Sequence, residues 1–383
     1  MMKNSFVDIY YKQSSKRPGD PCGDVVVYKR DAYHTTILLV DGIGSGIKAH
    51  IAATMNSARI MQMLADGFSV RDVFSHMVKT MNEWRNYDKP FSAFTLTRIM
   101  HDGTATMLSY EAPVPLLLGA REAYVLPAQT LTIGEALVSE IDYHLRHGEG
   151  VVLVSDGITQ AGIGNGLPRG WTIEGVNGFV NRLVSRSTPT EDIPDQIIQE
   201  AFVIDGSTFN DDCTVIAAPF RHGHVVTILT GPPESPADDE KSIAMFLENK
   251  GTKIVCGSTT ANIVARHLNT EVRVEHNRRN TGTPPQYFID GIDLVTEGAI
   301  TLNQLHNILD EDLLNTAERS AVFDLWQQIM ESDRIQFMVG KKINSASDDI
   351  IWRKQGILPR IRIVNLLAKK LESMGKLVTI TYV

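Results

Sequence analysis

Three short apolar runs, far apart in the chain, each end or begin on aspartate. They are "LLVDGIGSG" around Asp41, "VVLVSDGIT" around Asp156 and "NDDCTVIAA" around Asp211 and Asp212. Short runs of Val, Leu and Ile bounded by Gly and Asp read as core strands. A carboxylate at the edge of such a strand is costly to desolvate. If the three stations converge, their charges also repel and raise one another's pKa values. Bound divalent cations remove both problems, and all-oxygen ligation suits magnesium or manganese rather than zinc. The glycine after the aspartate is expected to let a backbone carbonyl turn towards the metal. Each station taken alone has a plainer reading: Asp-Gly after a strand is usually a turn, and "NDDCT" a loop entering a strand.

The rest of the N-terminal half supplies the strands and helices that could bring these stations together. Further strand signals lie at 25–29, 35–40, 91–99, 104–110, 115–119 and 151–156, and "HDGTA" (101–105) reads as a hairpin turn. Helices are expected at 45–65, 69–86 and 190–204, the second capped by Ser69. This order is not a strict strand-helix alternation, so the fold class is α+β, a mostly antiparallel sheet assembly covered by helices. From about residue 220 the pattern changes to strands at 225–230 and 252–257 alternating with helices at 237–249 and 258–268. That is the signature of a smaller α/β domain. A helical stretch at 300–332, including 310–330, and a last helix (361–373) and strand (377–382) close the chain. The expected domains are 1–220 and 221–383.

Bulk properties narrow the class. With 37 basic and 45 acidic residues, the net charge of −8 argues against a non-specific nucleic-acid binder. The three cysteines, Cys22, Cys213 and Cys256, form neither a zinc pattern nor a disulfide framework, which points to a reducing compartment. No run has the length of a membrane span, and the N-terminus has no signal-peptide stretch. The expected location is the cytoplasm, with no membrane contact.

"DGIGSG", "VSDGI" and "DDCT" resemble the metal-binding motifs of PPM-type (type 2C) serine/threonine phosphatases, and more narrowly the bacterial branch named for stage II sporulation protein E. "CGDVVVYKRD" (22–31) resembles the strand that opens that catalytic domain, so the resemblance spans about residues 15–220. It implies an α-β-β-α sandwich with two Mn²⁺ or Mg²⁺ ions at one end of the paired sheets. By position, Asp41 would bridge both ions and the Gly42 carbonyl would join one. Asp156 and Asp211 would supply further carboxylates, Asp212 would be a ligand or a supporting partner, and Asp24 would hold a water on the metal. The implied reaction is attack of a bimetal-bound water on phosphoserine or phosphothreonine, with no covalent phosphoenzyme. The implied substrate is a phosphoprotein, in this branch a STAS-type anti-sigma-factor antagonist. Ile43 stands where many eukaryotic relatives carry His, so the leaving oxygen would take its proton from metal-bound water. Arg30 and Lys48 are weak candidates for gripping the substrate phosphate; each reads more simply as a solvated surface charge.

Other readings compete. "GIGSGIK" has neither phosphate-loop nor dinucleotide spacing, and Gly44 and Gly46 are better explained as a sharp turn into helix 45–65. The small residues Ala49 and Ala52 would let that helix lie close to the sheet, and the resemblance implies that its movement switches activity. An inactive phosphatase-like scaffold and a hydrolase of small phosphoesters are the rival functions. In the C-terminal region, "VCGSTTANIVA" could hold an anion at a helix N-terminus, or could be only a well-capped turn. The basic stretch within 273–302 could contact a partner, with surface connection as the default. His267 and His276 read as ordinary surface residues. Regulatory input, if any, is expected through residues 221–383.

Overall fold

The computed structural model describes residues 5–86, 91–275, 286–311, 320–342 and 356–383. The chain divides into two compact units, Met1–His222 and Gly223–Val383.

The first unit opens with strands β1 (Ser5–Val7), β2 (Tyr10–Ser14), β3 (Asp24–Arg30) and β4 (His34–Gly42), followed by helices α1 (Ile47–Ala65) and α2 (Val70–Asn86). Strands β5 (Ser92–Met100), β6 (Thr104–Tyr110), β7 (Leu116–Leu118), β8 (Ala123–Val125), β9 (Gln129–Ile133), β10 (Ala136–His144) and β11 (Gly150–Val154) come next. Helices α3 (Asp156–Thr159), α4 (Thr172–Ser185) and α5 (Ile193–Ile204) then lead to strand β12 (Cys213–His222). The strands form two six-stranded sheets. One runs β3-β4-β5-β6-β10-β9; the other runs β1-β12-β11-β7-β8, with β2 also paired to β12.

The pleat builds four layers from these elements, because successive side chains on a strand face opposite ways. On β4, Leu38 and Val40 pack with Ala53, Ile60 and Phe74 of α1 and α2. Their neighbours Ile37 and Leu39 join Val151 and Leu153 of β11 between the sheets. On β11, Val152 and Val154 face the other way, onto Val176 and Val180 of α4 and Ile197 of α5. The order of layers is α-β-β-α. Each fully buried Leu, Ile or Phe in these interfaces contributes roughly 1.5–3 kcal/mol, so three separate cores hold the unit together.

Several local expectations are met. Gly44 (φ 101°) and Gly46 (φ 72°) make the turn into α1. The Ser69 hydroxyl accepts the Asp72 N–H at 3.1 Å and caps α2. Gly103 (φ 99°) closes the β5–β6 hairpin, with the Asp102 carboxylate accepting from Thr104 N–H. Other expectations need correction. The run at 151–156 leaves its strand at Val154, and Asp156 opens the short helix α3. The helix expected at 190–204 starts as a 3-10 turn over Thr190–Asp192 before α5 takes over at Ile193. Helix α4 and strands β8–β10 had no expectation attached.

The second unit contains β13 (Val225–Thr230), α6 (Asp239–Glu248), β14 (Thr252–Cys256), α7 (Ser258–His267), β15 (Arg273–Glu275), β16 (Gln286–Phe288) and β17 (Leu294–Thr296). It continues with α8 (Ala299–Ile308), α9 (Ala321–Met330), β18 (Arg334–Val339), α10 (Arg360–Ser373) and β19 (Leu377–Tyr382). One seven-stranded sheet runs β15-β16-β17-β14-β13-β18-β19. Its five strands from β17 to β19 are mutually parallel, while β15 and β16 form an antiparallel edge. Helices α6 and α7 cover one face through Ile243, Phe246 and Val264. Helices α8, α9 and α10 cover the other through Leu302, Leu325 and Leu367. Of the helix expected at 310–330, residues 312–319 lie outside the described residues, as does His276. His267 is exposed at the end of α7.

Candidate active site

Strand pairing carries the aspartates to one place. Asp24, at the start of β3, sits directly across from Asp41, near the end of β4. Like charges directly opposite on neighbouring strands repel. In the other sheet β11 and β12 are antiparallel partners, so the residues leaving β11 meet those entering β12. The Ser155 N–H donates to the Thr214 carbonyl at 3.0 Å, and the Thr214 N–H returns to the Ser155 hydroxyl at 2.9 Å. Asp156 and Asp211–Asp212 flank this clasp. The sheets meet at their acidic ends: the Asp41 carboxyl is close enough to Asp24, Asp156 and Asp211 for each to raise its pKa, and Asp156 raises Asp211 in turn.

The two glycines after Asp41 and Asp156 have a steric reason in addition to the expected one. Neither adopts a left-handed φ. A Cβ on Gly42 would lie 2.1 Å from the Ala49 carbonyl oxygen, and one on Gly157 would lie 2.2 Å from the Asp212 carbonyl oxygen. Both positions are glycine because another backbone approaches them, in the first case the N-terminal turn of α1. The small Ala49, Ala52 and Ala53 are buried on that approach, as the sequence reading anticipated.

Burial and mutual repulsion dominate the electrostatics. Burial, opposed by the nearby Thr214 and Ser155 hydroxyls and reinforced by the Asp212 and Asp156 charges, pushes the Asp24 carboxyl up to about 7. Burial, then Asp24, Asp156 and Asp211, push Asp41 up to about 11. Asp211 is raised by burial and Asp156 against the pull of its bond from Asp212 N–H and of Lys16. No lysine or arginine among the described residues forms an ion pair with these carboxylates. The partners are neutral donors instead: Lys16 N–H to Asp212 at 2.8 Å, Gln160 Nε2 to Asp156 at 2.8 Å, and Asp212 N–H to Asp211 at 2.9 Å.

Among the described residues, no group of three or more His, Cys, Asp or Glu side chains is arranged to hold a metal ion as it stands. The donor chemistry nonetheless fits one. Both carboxylate oxygens of Asp24, which is 2% exposed, and Oδ2 of Asp212, 4% exposed, have no hydrogen-bond partner. The Thr214 hydroxyl accepts from Gln13 Nε2 and the Ser155 hydroxyl from Thr214 N–H, and both hydroxyls temper the rise that burial imposes on Asp24. Buried carboxylate oxygens without partners are rare because they carry the full desolvation penalty. A hard divalent cation offset by all-oxygen donors is the chemistry that relieves it.

The candidate phosphate grips stand elsewhere. Arg30 is at the opposite end of β3 from Asp24, bonded to the Val7 carbonyl and lying over the Phe6 and Tyr28 rings. Lys48 is exposed on α1. What does border Asp156 is an open groove of about 580 Å³ that Ile43, Arg85 and Glu111 also line. Glu111 (φ 53°) and Thr172 (φ 59°), both on this groove, hold left-handed backbone conformations. Such conformations cost energy in residues with a β-carbon and gather at functional sites. Sequence reasoning also missed Asp205, which anchors the loop ahead of Asp211. Its buried carboxylate accepts from Gly162 N–H at 2.5 Å, Asn210 N–H at 3.1 Å and Asn210 Nδ2 at 3.0 Å. A signal for it exists: "IDGSTFNDD" carries one more Asp-Gly at the end of an apolar helix.

Residues 31–221 match the sequence profile of the family "Stage II sporulation protein E (SpoIIE)". Through this stretch, just under half of its length, the chain is similar to the SpoIIE family. Five of the six expected site residues fall inside the SpoIIE match; Asp24 precedes it. No curated protein matches the chain. Among solved structures, the PP2C domain of SpoIIE from Bacillus subtilis with a fragment of its regulatory domain is 19% identical, over 57% of this chain and 64% of that one, with a TM-score of 0.49. The RsbU and RsbW domains of a Mycobacterium tuberculosis protein are 14% identical over 64% of this chain and 68% of that one, with a TM-score of 0.49. RsbX in complex with magnesium is 15% identical over 56% and 95%, with a TM-score of 0.40. Among the described residues, no helix is long and apolar enough to cross a membrane.

Proposed function

We propose that the first unit is a manganese- or magnesium-dependent phosphatase acting on phosphoserine and phosphothreonine in a protein. The observation that carries this reading is the set of partnerless buried oxygens on Asp24 and Asp212 beside Asp41 and Asp156 in a domain similar to the SpoIIE family. Asp41, the Gly42 carbonyl, Asp156, Asp211 and Asp212 would hold two cations, and Asp24 would hold water on them. Bound there, the cations supply charge neutralisation for phosphoryl oxygens and a water acidic enough to attack phosphorus. The chain's own part is placement. The β3–β4 and β11–β12 pairings fix the carboxylates, and the groove beside Asp156 admits a phosphorylated segment along its rim.

Burial pushes Cys22 up to about 12 and raises Cys213 as well, which weighs against either thiol as a covalent nucleophile. Ile43 is exposed at the groove, so no protein acid stands where the sequence offered none. We place the substrate among STAS-type anti-sigma-factor antagonists, on the family resemblance, and the protein in the cytoplasm, on its three unpaired thiols. Residues 223–383 are assigned a regulatory or partner-binding role.

The test is turnover of a panel of phosphoserine proteins with manganese or magnesium, for wild type and Asp41→Asn. Turnover should need the metal and fall by more than about 100-fold in the variant, since losing a direct ligand exceeds the effect of losing its supporting partner. Metal-independent turnover, or equal rates in Asp41→Asn, would overturn the reading. No turnover on any phosphoprotein would favour a scaffold, and preference for small esters a different hydrolase.

A further inference from the structure

The strand order of the second unit reverses at β13: β14 and β17 lie to one side of it, β18 and β19 to the other. In open parallel sheets a crevice forms outside the carboxyl ends of the strands at such a reversal, and ligands bind there. A cavity of about 260 Å³ lies at those ends, reached by Thr230 and Gly231 after β13, Gly257 after β14 and Gly298 after β17. We infer that this cavity binds a small organic phosphate, a mononucleotide or a sugar phosphate.

Three helices begin on the cavity: α7 at Ser258, α8 at Ala299 and α10 at Arg360. None of the three has a side-chain hydrogen bond capping its N-terminus. Each therefore offers unsatisfied backbone N–H groups and about half a positive charge to the same space. Two full cations join them. Arg360 lines the cavity with its guanidinium seated on Gly231, where a Cβ would lie 1.5 Å from Nη1, and it donates to the Gly340 carbonyl at 2.8 Å. Burial lowers its pKa, the mark of a cation removed from water, and no described carboxylate forms an ion pair with it. Lys342 is the second cation.

Thr230 points to a ligand independently of the helices. It is 1% exposed and its hydroxyl oxygen has no hydrogen-bond partner. Pleat alternation puts it on the face of Val226 and Ile228, the face covered by α8 and α10, whose first residues line the cavity. A hydroxyl buried without a partner costs roughly 1–3 kcal/mol, and a ligand oxygen in the cavity removes that cost.

Glu297 decides between a bare anion and an organic one. It is the acidic residue lining the cavity, and it already accepts from the Tyr287 hydroxyl at 3.1 Å. Beside the positive groups it suits a ligand that carries hydroxyl or amino donors next to its phosphate. The volume is small for ligand pockets, which run to about 300–1,000 Å³, and "VCGSTTANIVA" lacks the glycine spacing of a dinucleotide loop. Both features favour a mononucleotide or sugar phosphate over a dinucleotide.

Calorimetric titration of the full chain tests this, with AMP, glucose 6-phosphate, NAD⁺ and inorganic phosphate as probes. EDTA is present, and the Asp41→Asn background is run in parallel to silence the first unit. One AMP or glucose 6-phosphate should bind per chain, more tightly than inorganic phosphate or NAD⁺. Thr259→Glu, an exposed change in the first turn of α7, should weaken binding by about tenfold or more while leaving the melting temperature equal or higher, because an acid suits that helix end. Lys342→Ala should weaken it as well. The proposal falls if neither organic phosphate binds at millimolar concentration, if inorganic phosphate binds as tightly, if Thr259→Glu binds normally, or if Asp41→Asn abolishes binding.

Discussion

Raising the pH of the metal-free protein should destabilise its first unit. Asp24 and Asp41 hold their protons more tightly in the folded protein than in the unfolded chain, where a carboxyl titrates near 3.8. Folding is therefore favoured at low pH. The contribution is complete below the unfolded value and is lost as pH rises through about 7 for Asp24 and on towards about 11 for Asp41. For Asp24 alone, linkage gives a loss of about 2 kcal/mol between about pH 5.5 and about pH 7.5. In a unit of this size that is a fall of roughly 4–8 °C in melting temperature. Asp41 acts in the same direction, but the two share protons, so their effects do not simply add. Differential scanning calorimetry in EDTA at the two pH values measures the fall, and Asp24→Asn, which cannot ionise, should reduce it. Saturating manganese should reverse the trend, because cations bind the ionised carboxylates and stabilise the folded state. A flat or rising melting temperature in EDTA, or an undiminished slope in Asp24→Asn, would refute the reasoning.

Two further predictions concern the supports of the site. Gly42→Ala puts a methyl 2.1 Å from the Ala49 carbonyl oxygen, so α1 must shift. Metal-dependent turnover should drop at least tenfold, at a stability cost of about 1–3 kcal/mol; Ala49→Leu, pressing on the same contact, should act likewise, and normal activity in both would remove α1 from any switching role. Asp205→Ala leaves Gly162 N–H and both Asn210 donors without their acceptor. It should cost about 1–3 kcal/mol per group that water does not reach and raise the manganese concentration needed for half-maximal turnover, read by metal titration alongside denaturant unfolding.

The sequence disclosed the site better than it disclosed the scaffold. Asp41, Asp156 and Asp211 were legible because each joins an apolar run, and the alternation of Leu38 and Val40 against Ile37 and Leu39 is a strand pattern that survives folding. Strand β9, exposed along most of its length, had no apolar run to announce it. Helix α4 follows a glycine-rich stretch that masks its start, and Thr172 enters it in a left-handed conformation. Gly42 and Gly157 have a reason that the local sequence does not carry, since the backbones that crowd them, at Ala49 and Asp212, come from other elements. Gln13, Lys16 and Ser155 support the segments around the acidic cluster through hydrogen bonds to Asp24, Asp212 and Thr214 that leave no local pattern. The cavity of the second unit was only half legible: "VCGSTTANIVA" showed one helix end, whereas α8 and α10 reach it through strand order alone.

Anomalous diffraction from crystals grown with manganese tests the centre of the account most directly. Two manganese peaks should lie about 2.0–2.3 Å from carboxylate oxygens of Asp41, Asp156 and Asp211, and both should vanish in Asp41→Asn. Saturating manganese with no peak beside these aspartates, or peaks held by other residues, would contradict it.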